Sequence, residues 1–353
     1  IKRDKQIWKF CFYGLLKNLK FFEPYLLIYL LCMDLNLFKI GILFSIREVI
    51  TYIFEVPSGL IADNYGKKKE LMMCFAFYMI SFVFFFIGES FYILTIAMIF
   101  FGLGEAFRSG THKAMIYSYL EQKGWFQHKT FVYGRTRSFS LLGSAISAFI
   151  SIIFILNLPS VRWIFLICII PYIADFLLIW SYPDSLDEAR HGKLSLKQFF
   201  SLGIAQVKNI LFNKKLNRIL ISSSLYDAIF KSIKDYIQPI LKITILATAA
   251  SQIKGLEGED VLKIYLGIIY GVFYIFSSIS SRNVYRLNKV VKSDKLLEIS
   301  FDLMAILLLL LTIAIKIDLT MVVIGIFFIL YIFKDGRRPI FVDVCGDHME
   351  KRE

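Results

Sequence analysis

Three short sets of ionisable residues sit at helical spacing inside apolar stretches of this 353-residue chain. Glu105, Arg108 and His112 fall at i, i+3 and i+7, which is one helix face. Asp227 and Lys231 are an i, i+4 pair with the acid first, and Lys17, Lys20 and Glu23 climb one face in steps of three. Buried carboxylates can be tuned to take up and release protons, and buried cations can hold an anionic group. Energetics decides where these groups point. A charged side chain at the centre of a bilayer costs about 2.5–3.5 kcal/mol even on the mildest scale. A dozen of them against lipid would cost roughly 30–40 kcal/mol, more than the about 5–15 kcal/mol that holds a fold together. They must face one another or water. Two readings stay open: a solute and ion pathway, or static pairs that only hold a bundle together. The Glu105–Arg108 pair fits either.

The elements that carry these groups follow from composition. Hydrophobic residues make up 57% of the chain and charged residues only 20%, with 35 Phe against 7 Pro. Soluble domains sit nearer 45–50% and 25%. The balance excludes a disordered chain, a collagen-like repeat and a disulfide scaffold, and predicts an all-α polytopic membrane protein. Taking roughly 20 apolar residues per crossing, ten spans are predicted near 8–32, 38–62, 70–88, 91–118, 135–156, 161–181, 217–247, 261–281, 296–316 and 319–345. Spans 3, 6 and 9 are clean: Leu71–Ile87, Trp163–Ala174 and Leu303–Ile315 hold no charge. Spans 1, 4, 7 and 10 are loaded. They carry Lys17, Lys20 and Glu23; Glu105, Arg108, His112 and Lys113; Asp227, Lys231, Lys234 and Asp235; and Lys334, Asp335, Arg337 and Arg338. Span 2 adds Arg47, Glu48 and Glu55. This period of three helices implies spans 1, 4, 7 and 10 around a water-filled cavity, with 3, 6 and 9 toward lipid. Lys113, Arg135, Arg337 and Arg338 lie near helix ends and could instead snorkel to water.

The net charge of +13 is spread over short clusters between apolar runs, as expected of a chain lying against anionic lipid rather than nucleic acid. Lys67–Lys69, the 182–216 connector and Arg282 to Lys292 all fall on one side, and loops near Gly88–Ser90 and Asn157–Ser160 have no basic residue. Basic loops mark the cytoplasm, so the N-terminus is placed on the cytoplasmic side of the cell membrane. The connector 182–216 divides the chain into a six-span bundle, 1–181, and a four-span part, 217–353. Its stretch from Leu194 to Phe212 has amphipathic helical spacing. Six-plus-six is a common transporter plan, so the second part reads as a half that stops two helices early. Five scattered cysteines and four histidines show no metal spacing, and no nucleophile–base pair can be placed. No cofactor and no enzymatic activity are expected.

The loop between spans 2 and 3 carries a resemblance. Gly59-Leu60-Ile61-Ala62-Asp63-Asn64-Tyr65-Gly66-Lys67-Lys68 resembles the signature loop of the major facilitator superfamily: Gly, three residues, Asp, a basic residue, one residue, Gly and two basic residues. Asn64 departs from it at the basic position. Gly102-Leu103-Gly104-Glu105-Ala106 resembles the Gly-rich end of a second family motif, with Met98 where the family has Arg. The Gly-Pro antiporter motif of span 5 is absent. Gly59 is expected to allow close helix packing, Gly66 a tight turn, and Asp63 to accept hydrogen bonds from a neighbouring helix end.

The resemblance implies a six-plus-six bundle, of which about ten helices are present, working by alternating access as a monomer. It makes Gly59, Asp63, Gly66, Lys67 and Lys68 a gating loop that latches one state. It implies a small-molecule substrate and coupling to protons. Glu23, Glu48, Glu55, Glu105 and Asp227 are the candidate proton carriers, and Lys17, Lys20, Arg108, His112, Lys231 and Lys234 the candidate substrate binders. Proton-coupled efflux leads. Uptake of an organic anion or zwitterion is the alternative, since basic residues outnumber acidic ones in the loaded spans. A non-transporting membrane sensor or scaffold is the reading of another class.

Overall fold

A computed structural model describes residues 3–187, 214–234, 236–249, 258–283, 291–317 and 319–350. The expected amphipathic helix of the connector lies outside the described residues. Every regular element among them is helical. The chain separates into two compact units, Ile1–Phe199 and Phe200–Glu353.

The first unit holds α1 (Lys5–Leu16), α2 (Leu26–Leu31), α3 (Leu37–Tyr65), α4 (Lys67–Ile87), α5 (Phe91–Arg108), α6 (Thr111–Gln122), α7 (Lys129–Asn157) and α8 (Trp163–Trp180). Side-chain caps start several of them: Asp4, Asn36 and Ser90 accept the backbone N–H three residues on in α1, α3 and α5. α4 packs on α5 and α8, α3 on α5, and α1 on α7. Between α4, α5 and α8 the core is aromatic, with Phe82, Phe101 and Tyr172 grouped around Tyr78 at centroid distances of 5.2–6.4 Å. The second unit holds α9 (Lys214–Lys234), α10 (Ile237–Ala249), α11 (Gly258–Asn283), α12 (Ser293–Lys316) and α13 (Thr320–Glu350), with α13 packed on α11 and α12. α12 presents Ile306, Leu309 and Ile313 outward, the apolar face expected of a clean span.

The predicted spans correspond to helical stretches, but three of them are not continuous. Span 1 stops at Leu16 and resumes at Leu26 after a 3-10 turn, Glu23–Tyr25. The Asn18 amide donates to the Gly14 carbonyl at 2.6 Å and closes the first helix, while Pro24 has no N–H to continue a ladder. Span 4 breaks between α5 and α6, where Ser109 is extended and Gly110 takes φ +79°. Span 7 breaks between Lys234 and Ile237. The three broken spans, 1, 4 and 7, are among the charge-loaded ones. Among the described residues six stretches are long and apolar enough to cross a membrane: 67–87, 91–122, 131–157, 163–180, 260–281 and 295–316. Spans 1, 2, 7 and 10 do not meet that measure among the described residues, and these are places where the sequence puts charge.

Candidate functional site

In the first unit the break in span 1 brings Lys17 and Lys20 to the face of α5 that carries Glu105 and Arg108. Lys20 Nζ lies 3.2 Å from Glu105 Oε1. Arg108 makes a close ion pair with the other Glu105 oxygen. The Tyr78 hydroxyl of α4 donates to Glu105 Oε1 at 2.7 Å and accepts from Arg108 Nε at 3.2 Å. Gly104 makes room for that tyrosine, because a Cβ there would sit 2.9 Å from the Tyr78 ring. Lys17, Asn18, Lys20, Tyr78, Arg108 and Tyr172 line a cavity of about 30 Å³. That is room for about two waters at roughly 10–15 Å³ each. Lys20 and Arg108 thus share the Glu105 carboxylate, and Lys17 borders the same cavity.

His112 lies beside this cluster. It is buried, stacks on Tyr13 with ring centroids 3.6 Å apart, and places Nε2 within 3.4 Å of the Tyr182 hydroxyl.

The other candidates are placed apart. Glu48 pairs with neighbouring Arg47 at 3.0 Å. Glu55 accepts from the Ser109 hydroxyl at the α5–α6 break. Glu23 is half-buried in the 3-10 turn. In the second unit Asp227 and Lys231 are exposed on α9, and Lys234 ends that helix half-buried.

The signature segment runs through the last turns of α3 and the first of α4, and only Gly66 stands between the two helices. Gly66 takes φ +103°, and a Cβ there would collide with the Asp187 carboxylate. That carboxylate accepts the Lys68 backbone N–H at 2.8 Å, and Lys68 Nζ donates to the Tyr182 carbonyl and the Asp184 carboxylate, both at 3.0 Å. The segment after α8 is therefore fastened to the loop. Lys67 is half-buried at the first position of α4. Two expectations about the loop need revision. A Cβ at Gly59 would meet nothing within 4 Å among the described residues, so helix packing there does not explain the glycine. Asp63 makes no hydrogen bond or ion pair among the described residues.

Besides Tyr78, the sequence reading does not single out Asp175 or Glu70, and it leaves Arg337 between a cavity-facing and a snorkelling position. Asp175, one residue past the stretch counted as clean in span 6, is fully buried in α8. Glu70, at the head of α4, is fully buried and accepts from Thr111 Oγ1 at 2.6 Å, which ties α4 to the start of α6. Arg337 does not snorkel: it is 4% exposed. It donates to Ser300 Oγ and Ser223 Oγ, both at 3.1 Å, and stacks on Tyr226 at 4.3 Å. Of its neighbours, Asp335 is buried with Lys334 3.3 Å away, and Arg338 is exposed.

These observations define a multi-pass α-helical membrane protein with polar groups gathered on interrupted helices. The family model of the Major Facilitator Superfamily matches residues 10–351, and the chain belongs to that family, whose members are transporters rather than enzymes. It is 27% identical over 223 residues to the uncharacterized MFS-type transporter YxaM of Bacillus subtilis, covering 62% of this chain and 54% of that protein. The chain thus spans about half the length of the curated relative it matches. Its fold is similar to crystal structures of the nucleoside transporter NupG. A point mutant of NupG superposes with a TM-score of 0.75 at 13% identity over 98% of this chain and 83% of the other, and a second NupG structure with 0.70 at 12% identity over 99% and 83%.

Proposed function

We propose that the protein is a secondary transporter that moves a small organic solute across the cell membrane by alternating access, coupled to protons, with its N-terminus in the cytoplasm. The observation that carries this reading is a small cavity lined by Lys17, Lys20 and Arg108 at the breaks of spans 1 and 4, with Glu105 paired to two of them. Interrupted membrane helices are where transporters build midplane sites, because the freed backbone and inward side chains can meet a solute there. In this reading 1–181 and 217–353 are the moving bundles, 182–216 is the linker, and the loop from Gly59 to Lys68 is the gate.

Proton-driven efflux and uptake of an organic anion share this machinery and differ in cargo and direction. Anionic cargo is favoured by two observations: three cations line one cavity where a single carboxylate pairs with two of them, and the buried Arg337 has a second terminal nitrogen with no hydrogen-bond partner among the described residues. A buried guanidinium held by neutral hydroxyls has unspent capacity for an anion.

The test uses the full chain in proteoliposomes. Benzoate, alanine and tetraphenylphosphonium are first compared as thermal stabilisers. The flux of whichever stabilises is then followed under an imposed proton gradient, with its sidedness giving the direction. The expected outcome is stabilisation by the anion, lost in Arg337→Lys, and flux that collapses in Glu105→Gln or Asp227→Asn. Stabilisation by the cation alone overturns the anion reading, and unchanged flux in both carboxylate variants overturns their coupling role.

A further inference from the structure

Asp175 is the most isolated carboxylate among the described residues of the first unit. It is fully buried in α8, and neither of its oxygens has a hydrogen-bond partner. Its burial follows from the helix: Cys168, Tyr172, Asp175 and Ile179 form one buried stripe at steps of four, three and four residues. That stripe packs against α4 and α1. An ionised carboxylate with no partner in such a site costs several kcal/mol, whereas a protonated one does not carry that burden.

The surroundings supply one cation. Among the described residues Lys17 is the charged group whose field reaches Asp175, yet the two form no ion pair within 4.0 Å. Lys17 Nζ sits instead over the Tyr13 ring at 5.0 Å and borders the small cavity. The other ionisable neighbours of Asp175 are Tyr13 on α1, Cys74 on α4 and Tyr182 after α8. Glu105 and Arg108 on α5 act on Lys17, and Lys17 in turn acts on His112 of α6. Lys17 therefore stands between an already paired cluster at a small cavity and a buried acid with no hydrogen-bond partner.

We propose that Asp175 is a proton-binding site, protonated in this conformation and able to release its proton when it engages Lys17. One proton from water adds to the carboxylate to give the neutral acid here. Its loss leaves a carboxylate that the Lys17 ammonium can neutralise. The site is independent of the cargo, and it differs from Glu105, whose charge is already shared among Lys20, Arg108 and Tyr78.

The test is pH-difference infrared spectroscopy of the full chain in liposomes, in water and in heavy water, with no cargo present. A protonated carboxyl stretch that shifts on deuteration and titrates is expected in the parent protein. It should be lost in Asp175→Asn, with Glu70→Gln as the control for the other fully buried acid. Lys17→Met leaves Asp175 in place should Asp175→Asn fail to fold, and it should shift the pH at which the band titrates. A titrating band that survives Asp175→Asn, the absence of any such band in the parent, or an unmoved midpoint in Lys17→Met overturns the proposal. Because no transport is measured, failure here is separate from failure of the transport reading.

Discussion

Arg108 and Arg337 solve one problem in different ways. Each is a guanidinium on a charge-loaded span inside its own unit. Arg108 is neutralised: Glu105 pairs with it, Tyr78 bridges the two, and Lys20 shares the same carboxylate. Arg337 has no ion-pair partner within 4.0 Å among the described residues: two serine hydroxyls and the face of Tyr226 surround it, and Asp227 acts on it only from farther away. A hydroxyl satisfies an N–H without cancelling the charge, and an aromatic face contributes only about 0.5–2 kcal/mol. The first arrangement is closed, so disturbing it exposes charge. The second is open and has room for an anion from outside the protein.

The largest effect should come from breaking the closed arrangement on its acidic side. Glu105→Ala leaves Lys20 and Arg108 as like charges around an empty position, and removing one partner of a buried ion pair costs about 3–5 kcal/mol. We expect a large fall in thermal midpoint in detergent or liposomes. Glu105→Gln keeps the volume and one acceptor and should lose less. Equal losses in the two variants would mean that shape rather than charge holds the cluster.

Much of this contrast was legible in the sequence, and the part that was not has physical causes. The i, i+3 spacing of Glu105 and Arg108 predicts a shared face, and the two pair there; the steps of three from Lys17 predict one helix face, but the helix stops at Leu16, so Lys17 and Lys20 reach the cavity from the break and Glu23 lies apart. Tyr78 was missed because an aromatic inside an apolar span reads as core, and nothing in the spacing says that its hydroxyl will sit between an acid and a base. Arg337 was read as free to snorkel from its position near a helix end. Its burial depends on Ser223 and Ser300, far away in the chain, which no local pattern connects. Asp175 did leave a signal, on the same stripe as Cys168 and Tyr172, but a single acid near the end of a clean span reads as an interface residue. The interruptions of spans 1 and 4 were masked because hydropathy averages over them, although Pro24 and Gly110 mark the places.

The open arrangement should be the more sensitive of the two to loss of a neutral hydroxyl. Ser300→Ala removes one of two hydroxyls from the buried Arg337 and leaves a guanidinium N–H with nothing to donate to, which costs about 1–3 kcal/mol. Ser223 cannot compensate, because it already serves the other nitrogen. The thermal midpoint should fall, and saturating benzoate should recover part of the loss if an anion can take the vacated place. A loss unchanged by benzoate would close the site to anions.

The smallest effect should come from the same kind of deletion in the closed arrangement. Tyr78→Phe removes a hydroxyl that donates to Glu105 and accepts from Arg108. Arg108 Nε loses its acceptor, but Arg108 and Glu105 keep their ion pair and Lys20 stays on the carboxylate, so the charge remains paired, and the partly exposed Arg108 side chain can turn to water. The loss should be about 0.5–1.5 kcal/mol, the net worth of an ordinary hydrogen bond, and the ring should still fill its place against Gly104. Thermal melts of Tyr78→Phe and Ser300→Ala side by side measure the comparison directly. If Tyr78→Phe proves the more damaging, the tyrosine is what aligns Arg108 with Glu105, and the first cluster depends on a neutral hydroxyl as much as the second.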